Sequence, residues 1–290
     1  MKLLQMKDVS VKKHGQVILN QINFNLVNQP SLTCLIGHNG SGKTTLIKTI
    51  LGFLAPASGQ IISHAQQIAY VPDIAAFDPN LTAFEVLNQC LLLADKQSNH
   101  NLVQQTLVRV GLDSQRLTKQ LVKTYSRGMQ QKLNIAAALI IEPDFLILDE
   151  PTSALDPQAK REILDLLTTL KSELPILVAS HDLESFATLA DSFLMLANSK
   201  LIWQGTRADL TTQVPTTMTL TLTNNEACQS LQQVVLNSKV TNNQITMINT
   251  SLEKILPQLL PWTEKIQQIN YQQFNLSDFY LSLLRQEQSK

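Results

Sequence analysis

The chemistry of this chain begins at a glycine-rich run, residues 37–45, that reads GHNGSGKTT. It fits the phosphate-binding pattern G-x-x-x-x-G-K-[ST] in full. Glycines let backbone N–H groups turn inward around phosphate oxygens, and a following helix points its positive end at the same charge. Lys43 can reach the β- and γ-phosphates, and the Thr44 hydroxyl can bind Mg²⁺. The alternative is a chance glycine-serine turn. The candidate nucleotide ligands are Gly37, Asn39, Gly40, Ser41, Gly42, Lys43, Thr44 and Thr45.

Two adjacent carboxylates form a second candidate group. Asp149 and Glu150 follow the apolar run FLIL at residues 145–148, which predicts a buried strand. At the carboxyl end of such a strand, Asp149 can order the ligand shell of Mg²⁺. Glu150 can polarise a water molecule in line with the γ-phosphate. A solvated strand end is the alternative for the pair taken alone. Beside the glycine-rich run, the pair predicts hydrolysis, with Glu150 and Lys43 as catalytic residues.

Apolar patterns predict the elements that must position these groups. Largely apolar runs, typical of parallel strands buried on both faces, lie at residues 32–36, 145–148 and 176–179. Helical patterns lie at 45–51 and 158–172. Alternating patches before residue 30, with a turn at His14-Gly15, predict antiparallel strands. The fold class is therefore α/β, with a parallel-sheet core and an antiparallel β subdomain.

A helical insert is predicted at about residues 82–141. Its first helix begins near Leu81, with Thr82 as N-cap and Glu85 at the spacing of a capping box. Further helical patterns cover 102–110 and 129–141.

The composition changes after about residue 212. Residues 211–290 are rich in Asn and Gln and hold ten charges, five basic and five acidic. The strictly alternating run 217–223 predicts a half-buried strand. Helical and strand patterns then predict the order β-α-β-α-β, a small α+β domain with a ferredoxin-like sandwich as one possible form, followed by a last helix. A disordered Gln/Asn-rich tail is the alternative.

Charge and cysteine usage narrow the class of partner. The 290 residues include 23 basic and 23 acidic side chains, so the net charge is zero and no nucleic-acid partner is expected. Three widely separated cysteines predict buried thiols in a reducing compartment. The longest apolar run, 135–141, is far short of the ~20 residues that span a bilayer. A role at a membrane would therefore require a partner.

Further motifs narrow the family. The run YSRGMQ at 125–130 precedes a helical pattern, SALD at 153–156 follows the carboxylates, and His181 follows an apolar strand. With residues 37–45 and 149–150, this ordered set resembles the ATP-binding subunits of ABC transporters over about residues 2–210. The resemblance implies a P-loop NTPase cassette, an ABC ATP-binding domain at 1–212 that hydrolyses ATP with Mg²⁺, and a small C-terminal α+β domain at 213–290.

The resemblance also assigns residues outside the glycine-rich run. In this family, residues at the positions of Ser126 and Gly128 bind the γ-phosphate of ATP held by a second subunit, so the site is completed in a dimer. His181 matches the γ-phosphate sensor and is the third expected catalytic residue. An ordinary N-cap and turn are the alternative for Ser126 and Gly128, and a satisfied core histidine is the alternative for His181.

Three departures from the family pattern matter. The signature reads YSRGM instead of LSGGQ, which resembles the ABC-2 export branch. Asp73 replaces a common Gln, and its carboxylate could meet Mg²⁺ or its water but cannot donate as an amide does. His14 lies where an aromatic ring is expected to stack on adenine, and its smaller ring predicts weaker contact with the base.

The resemblance therefore predicts the ATPase subunit of an exporter of the drug and antimicrobial-peptide type. It would be cytoplasmic, peripheral on the inner face of the cell membrane, and docked on a separate integral membrane permease. The second ABC subunit would be an identical or a different chain. The alternatives are a soluble ABC ATPase in translation or DNA repair, and a poorly hydrolysing regulatory subunit.

Overall fold

The computed structural model describes residues 2–74, 77–112, 120–213, 217–235, 238–248, 252–272 and 276–288. The contacts divide the chain into two compact units, Met1–Thr206 with Leu283–Lys290, and Arg207–Ser282. The division falls earlier than the predicted boundary at residue 212, because the helix Arg207–Gln213 groups with the second unit. Among the described residues, no helix is both long and apolar enough to cross a membrane.

The first unit contains both strands and helices. Its strands are β1 (Lys2–Lys13), β2 (Gln16–Val27), β3 (Ser31–Ile36), β4 (Ser58–Ser63), β5 (Ile68–Val71), β6 (Phe145–Asp149), β7 (Pro175–Ser180), β8 (Ser192–Ala197) and β9 (Lys200–Thr206). Its helices are α1 (Lys43–Ile50), α2 (Ala83–Leu93), α3 (His100–Arg109), α4 (Arg127–Leu139), α5 (Pro157–Leu170) and α6 (Leu183–Leu189). A 3-10 turn, Val122–Thr124, precedes α4.

The core sheet brings the predicted site residues to one edge. Its strand order is β5-β6-β7-β3-β8-β9, and all neighbours are parallel except β8 and β9. In register, Ile36 of β3 pairs with Ser180 of β7, and Asp149 of β6 pairs with Ala179. The glycine-rich loop, the carboxylates and His181 therefore emerge side by side, at the carboxyl ends where open α/β sheets bind ligands.

A second, antiparallel sheet has the order β2-β1-β4, and its β1–β2 connection is the predicted turn at His14 and Gly15. One hydrophobic core joins this sheet, α1 and the core sheet. Its largest fully buried side chains include Phe24 of β2 and Phe145 of β6. This packing fixes the start of α1, and with it the glycine-rich loop.

The helical insert is built from α2, α3 and α4. The capping box at Thr82 and Glu85 is confirmed: the Thr82 hydroxyl accepts from Glu85 N, and the Glu85 carboxylate accepts from Thr82 N. Asn99 caps α3 and Ser126 caps α4 through their side-chain oxygens. Both α2 and α3 pack against α4, so the position of α4 depends on the whole insert.

The second unit is an α+β domain. Its elements are α7 (Arg207–Gln213), β10 (Thr217–Leu222), α8 (Asn225–Gln232), β11 (Ser238–Thr241), β12 (Gln244–Ile248), α9 (Leu252–Leu259), the 3-10 segment Leu260–Lys265, β13 (Ile266–Gln272) and the first part of α10 (Leu276–Gln288). The four strands form an antiparallel sheet in the order β11-β12-β10-β13.

The order from β10 to β13 is β-α-β-β-α-β, the arrangement of ferredoxin-like domains. The predicted order β-α-β-α-β was wrong by one strand, because β11 was missed. This strand is four residues long and reads SKVT, so it carries one large apolar residue and no periodic signal that the sequence alone would reveal.

Candidate functional site

Two glycines of the loop are required by close contacts. Gly42 has φ 107°, which favours glycine, and a Cβ there would lie 2.9 Å from Leu19 Cδ2. A Cβ on Gly37 would lie 2.7 Å from the Leu196 carbonyl oxygen. The strands β2 and β8 therefore hold the loop from both sides. Asn39 and Gly40 lie exposed at its tip, and Thr45 continues into α1, where its carbonyl accepts from Thr49.

Lys43 links the loop to the carboxylates. Its side chain is buried, and its Nζ donates to the Gly37 carbonyl oxygen over 2.7 Å. The same Nζ lies 3.1 Å from Glu150 Oε1, close enough for an ion pair but without the alignment of a hydrogen bond. One cation therefore bridges the loop that would hold phosphates and the carboxylate that would act on water.

Thr44 and Asp149 form the part of the site that suits a divalent cation. The Thr44 hydroxyl donates to Asp149 Oδ2 over 2.8 Å. Asp149 is only 3% exposed, and its Oδ1 is buried with no hydrogen-bond partner among the described residues. The loop residue Ser41 likewise has a buried, unpaired Oγ. Hard oxygen ligands of this kind fit Mg²⁺ together with phosphate oxygens.

Burial raises the pKa of Asp149, and the nearby Glu150 charge raises it further, against the lowering effects of the Thr44 hydrogen bond and Lys43. The charged form of Asp149 is therefore disfavoured by the protein alone. A cation at this position would restore it.

Glu150 and His181 form a hydrogen-bonded pair. His181 Nδ1 lies 2.8 Å from Glu150 Oε2, which places the ring proton on Nδ1, because a carboxylate only accepts. The His181 backbone N–H and the Ser180 hydroxyl donate to the same oxygen over 3.3 and 3.4 Å. Glu150 itself has φ 49°, an uncommon conformation for a non-glycine residue. The geometry holds this carboxylate in one place, while the histidine ring stays half exposed.

Tyr70 is a site residue that the sequence did not single out. It lies on β5, in register with Ile147 of the neighbouring β6. Burial, followed by the Asp149 charge and the hydrogen bond to that carboxylate, raises the pKa of Tyr70 to about 12. The sequence alone places Tyr70 near the end of a short strand. It does not show that this strand pairs with β6, which carries Asp149, and only that pairing makes Tyr70 a site residue.

Asp73 lies just beyond the end of β5. Partial burial raises its pKa, the Glu150 charge raises it further, and His181 lowers it. The charges of Glu150 and His181 therefore act on Asp73 in opposite directions. The peptide before it is fixed by buried Asn134 of α4, whose Nδ2 donates to the Pro72 carbonyl over 2.9 Å. Asp73 also lines a cavity of about 280 Å³ whose wall includes Arg127 and Ser153.

Ser126 and Gly128 have structural roles within the single chain. Ser126 is exposed, and its Oγ accepts from Met129 N over 3.2 Å as the N-cap of α4. Gly128 is buried, and a Cβ there would lie 2.6 Å from the Cβ of Ala159 on α5. The described contacts join neither residue to the carboxylate cluster. A cap at an exposed helix N-terminus nevertheless leaves backbone N–H groups and the helix dipole available to an anion.

His14 is the predicted site residue that the structure leaves apart. It has φ 50° and lies exposed at the β1–β2 turn, and no described hydrogen bond or ion pair connects it to the loop. The other site residues of the core sheet, by contrast, form one connected cluster: Lys43, Thr44, Asp149, Glu150 and His181. A glycine-rich loop and two strand-end carboxylates on a parallel sheet define a P-loop nucleoside triphosphatase.

Comparison with known proteins gives the family. A family model described as ABC transporter matches residues 19–153. The bacitracin transport ATP-binding protein BcrA of Bacillus licheniformis is 34% identical over 69% of this chain and 68% of its own length. The zinc import ATP-binding protein ZnuC of Buchnera aphidicola subsp. Schizaphis graminum is 33% identical over 71% of this chain and 85% of its own length.

A solved structure of the ATP binding subunit of an ABC transporter has the same fold, with a TM-score of 0.64 and 29% identity over 73% of this chain and 92% of that chain. This chain therefore belongs to the ATP-binding subunits of ABC transporters. It is an ATPase that binds ATP and powers transport with membrane permease components.

Proposed function

We propose that this chain powers export through a separate permease, from the cytoplasmic face of the membrane. Two features support that direction: the YSRGM signature at 125–129, which resembles the ABC-2 export branch, and the similarity to BcrA. The zinc import protein ZnuC is similar to nearly the same degree, so direction is the part of the proposal that needs its own test.

The hydrogen-bonded pair of Glu150 and His181 is the observation that supports hydrolysis. Glu150 orients the attacking water and accepts its proton, while His181, which is hydrogen-bonded to Glu150 through Nδ1, acts as the sensor of the γ-phosphate. Lys43 exchanges its contact with the Gly37 carbonyl for the phosphates. Thr44, Asp149 and Asp73 would hold Mg²⁺ or its water, and a cation held there would supply positive charge to the phosphates. His14, which lies exposed and apart from this cluster, is the residue that would stack on the base.

Ser126 and Gly128 complete the site of a second subunit. Their helix N-terminus offers a hydroxyl, backbone N–H groups and a positive dipole to the γ-phosphate bound by the partner. ATP closes the two subunits, and hydrolysis opens them. A homodimer is the form we propose, with a different ABC chain as the alternative.

The substitution Glu150→Gln tests hydrolysis. ATP binding should be retained, because the amide keeps the size of the carboxylate, while turnover should fall at least ~10²-fold with the loss of the base. Glu142→Gln is the matched control, because Glu142 also has positive φ, 58°, but lies in an exposed ion pair with Lys96. Hydrolysis by Glu150→Gln at the wild-type rate would reject the assignment and favour a different base.

Direction is tested with the permease that co-purifies with this chain. In energised vesicles with the ATPase face outward, an exporter drives labelled bacitracin into the lumen, and Glu150→Gln abolishes the flux. ATP-dependent movement of a cargo out of such vesicles, with Zn²⁺ as the alternative probe, would make the chain part of an importer. ATP hydrolysis by the purified chain would exclude a purely regulatory subunit.

A further inference from the structure

The sheet of the second unit has two edge strands, where a strand of another chain could pair. The order β11-β12-β10-β13 leaves β11 and β13 at the two edges. An edge strand presents a row of backbone N–H and C=O groups to any strand that can approach it. Natural edges are therefore shortened, charged or covered when pairing must be avoided.

The two edges of this sheet differ in that protection. The strand β11 is four residues long and carries Lys239, so it is short and charged. The strand β13 is seven residues long, reads IQQINYQ, and contains neither charge nor proline. Its residues 267–270 are all exposed. Of the two edges, β13 is the one open to pairing.

An apolar row ends at this edge. In register across the four strands, Val240, Ile245, Leu220 and Ile269 are neighbours, and Ile245 and Leu220 are fully buried. Ile269 is 47% exposed. The last side chain of the row, Ile269, is therefore about half exposed to solvent, and an apolar side chain from a further strand would cover it.

The sequence of β13 is complementary to itself. In an antiparallel pair centred on Ile269, that residue faces its own copy, and Gln268 faces Asn270 on each side of the axis. Pairing with β10 is regular through these three positions. Ile269 would continue the apolar row, amides would face amides, and no like charges would meet. Two-fold symmetry of this kind closes a dimer and leaves no further edge of the same kind.

We propose that β13 pairs antiparallel with β13 of a second copy of this chain, which joins two four-stranded sheets into one of eight strands. Two edge strands bury less than the ~1,200 Å² of a stable interface, so the contact alone is weak and reversible. It needs no nucleotide. In the proposed transporter it would keep two chains close between ATP cycles and raise their effective concentration.

The full chain without nucleotide, in EDTA, tests this pairing by sedimentation velocity from micromolar to hundreds of micromolar protein. The wild type should show a reversible monomer–dimer equilibrium. Ile269→Lys should raise the dissociation constant at least ~10-fold, because two lysines would face each other across the axis. Val240→Lys, at the other end of the same row, is the matched control and should leave the constant unchanged.

Charge reversal makes the test specific to this register. Chains with Ile269→Lys and with Ile269→Glu should each be monomeric, and their equimolar mixture should dimerise. If Ile269 variants fail to fold, backbone amide exchange of wild-type residues 267–271 should slow as protein concentration rises. A wild type that stays monomeric, or equal weakening by Val240→Lys, would overturn the proposal, and the first result would point to another occupant such as a permease segment.

This inference and the proposed function fail separately. The Glu150→Gln chain with Mg²⁺ and ATP should still form a nucleotide-dependent dimer when Ile269 is replaced by Lys, because that contact runs through Ser126 and the glycine-rich loop. If only the nucleotide-free dimer is lost, the result bears on the pairing of β13 and not on the ATP site. Loss of the nucleotide-dependent dimer alone concerns the ATP site.

Discussion

At the scale of single residues, the buried carboxylate of Asp149 lowers the stability of the fold but has a proposed role in binding a cation. Its carboxylate is almost fully buried, one oxygen has no described partner, and burial raises its pKa above the ordinary value of 3.8. A carboxylic acid with a raised pKa in the folded state is disfavoured as an anion, so it opposes folding once the pH permits ionisation. In the proposed function this cost is retained because Asp149 would bind Mg²⁺, for which a carboxylate oxygen is a better ligand than an amide.

Asp149→Asn should therefore raise the free energy of unfolding at pH 7 while it reduces Mg²⁺-dependent hydrolysis at least ~10²-fold. The sign follows from linkage. Well below pH 3.8 the carboxyl group is protonated in both states, so the difference in stability between the two proteins should no longer depend on pH. As the pH rises, the unfolded wild-type chain ionises first, so the stability advantage of the Asp149→Asn protein should grow until the pH passes the raised pKa of the folded wild type. Urea unfolding between pH 4 and 8 measures this.

Asp165→Asn supplies the control for that series, because Asp165 is exposed on α5. As a substitution at an exposed position, it should change the free energy of unfolding at pH 7 by no more than about 0.5 kcal/mol. A destabilised Asp149→Asn protein at pH 7 would mean that the carboxylate is stabilised by contacts other than those described, and would remove the conflict between stability and function.

At the scale of elements, the signature helix α4 depends on its packing against α5. Gly128 is buried in this contact, and a Cβ there would lie 2.6 Å from the Cβ of Ala159, closer than two such atoms can approach. The glycine therefore has a steric reason within one chain, whatever it contributes to phosphate in a dimer. Gln131 and Asn134 of the same helix are also buried.

Gly128→Ala should lower the free energy of unfolding. Overpacking costs about 1–3 kcal/mol, and the better helix propensity of Ala offsets about 1 kcal/mol of it. In an Ala159→Gly background the clash disappears, so the same substitution should become stabilising. Urea unfolding of the four proteins in this double-mutant cycle measures the change of sign.

ATPase rates of the same four proteins separate the two roles of Gly128. If the glycine matters only for packing, the double variant should regain wild-type turnover. If its backbone also approaches the partner's γ-phosphate, turnover should stay low although stability is restored. A destabilisation by Gly128→Ala that is equal in both backgrounds would show that Ala159 is not the contact that excludes a Cβ.

The sequence predicted those elements whose signals are local. The glycine-rich loop, the apolar strand before Asp149 and the capping box at Thr82 each depend on residues within about ten positions of one another, and the structure forms the predicted strand and cap. Three features depend on distant residues and were missed: Tyr70 beside Asp149, Asn134 bonded to Pro72, and Gly128 against Ala159. Such contacts are set by strand pairing and helix packing, which periodicity does not encode.

At the scale of the whole molecule, the chain consists of two units: one carries the ATPase site, and the other is an α+β unit whose sheet has few charged residues. The carboxylate cluster lies in the first unit, and the open edge β13 lies in the second. Two kinds of contact between copies follow from the proposals: one requires ATP, and one does not. The rate of ATP hydrolysis should then depend on both contacts, because in the proposed function Ser126 completes the ATP site of a second copy.

The rate of ATP hydrolysis should rise more steeply than protein concentration. While most chains are monomeric, doubling the concentration should raise the total rate about fourfold, because the dimer population follows the square of the monomer concentration. Ile269→Lys should extend this steep range to higher concentration without changing the rate at saturation, since it weakens encounter and leaves the site intact. Coupled-enzyme assays over a wide dilution series measure both curves. A strictly proportional rate at dilutions where sedimentation shows monomers would mean that one chain hydrolyses ATP alone.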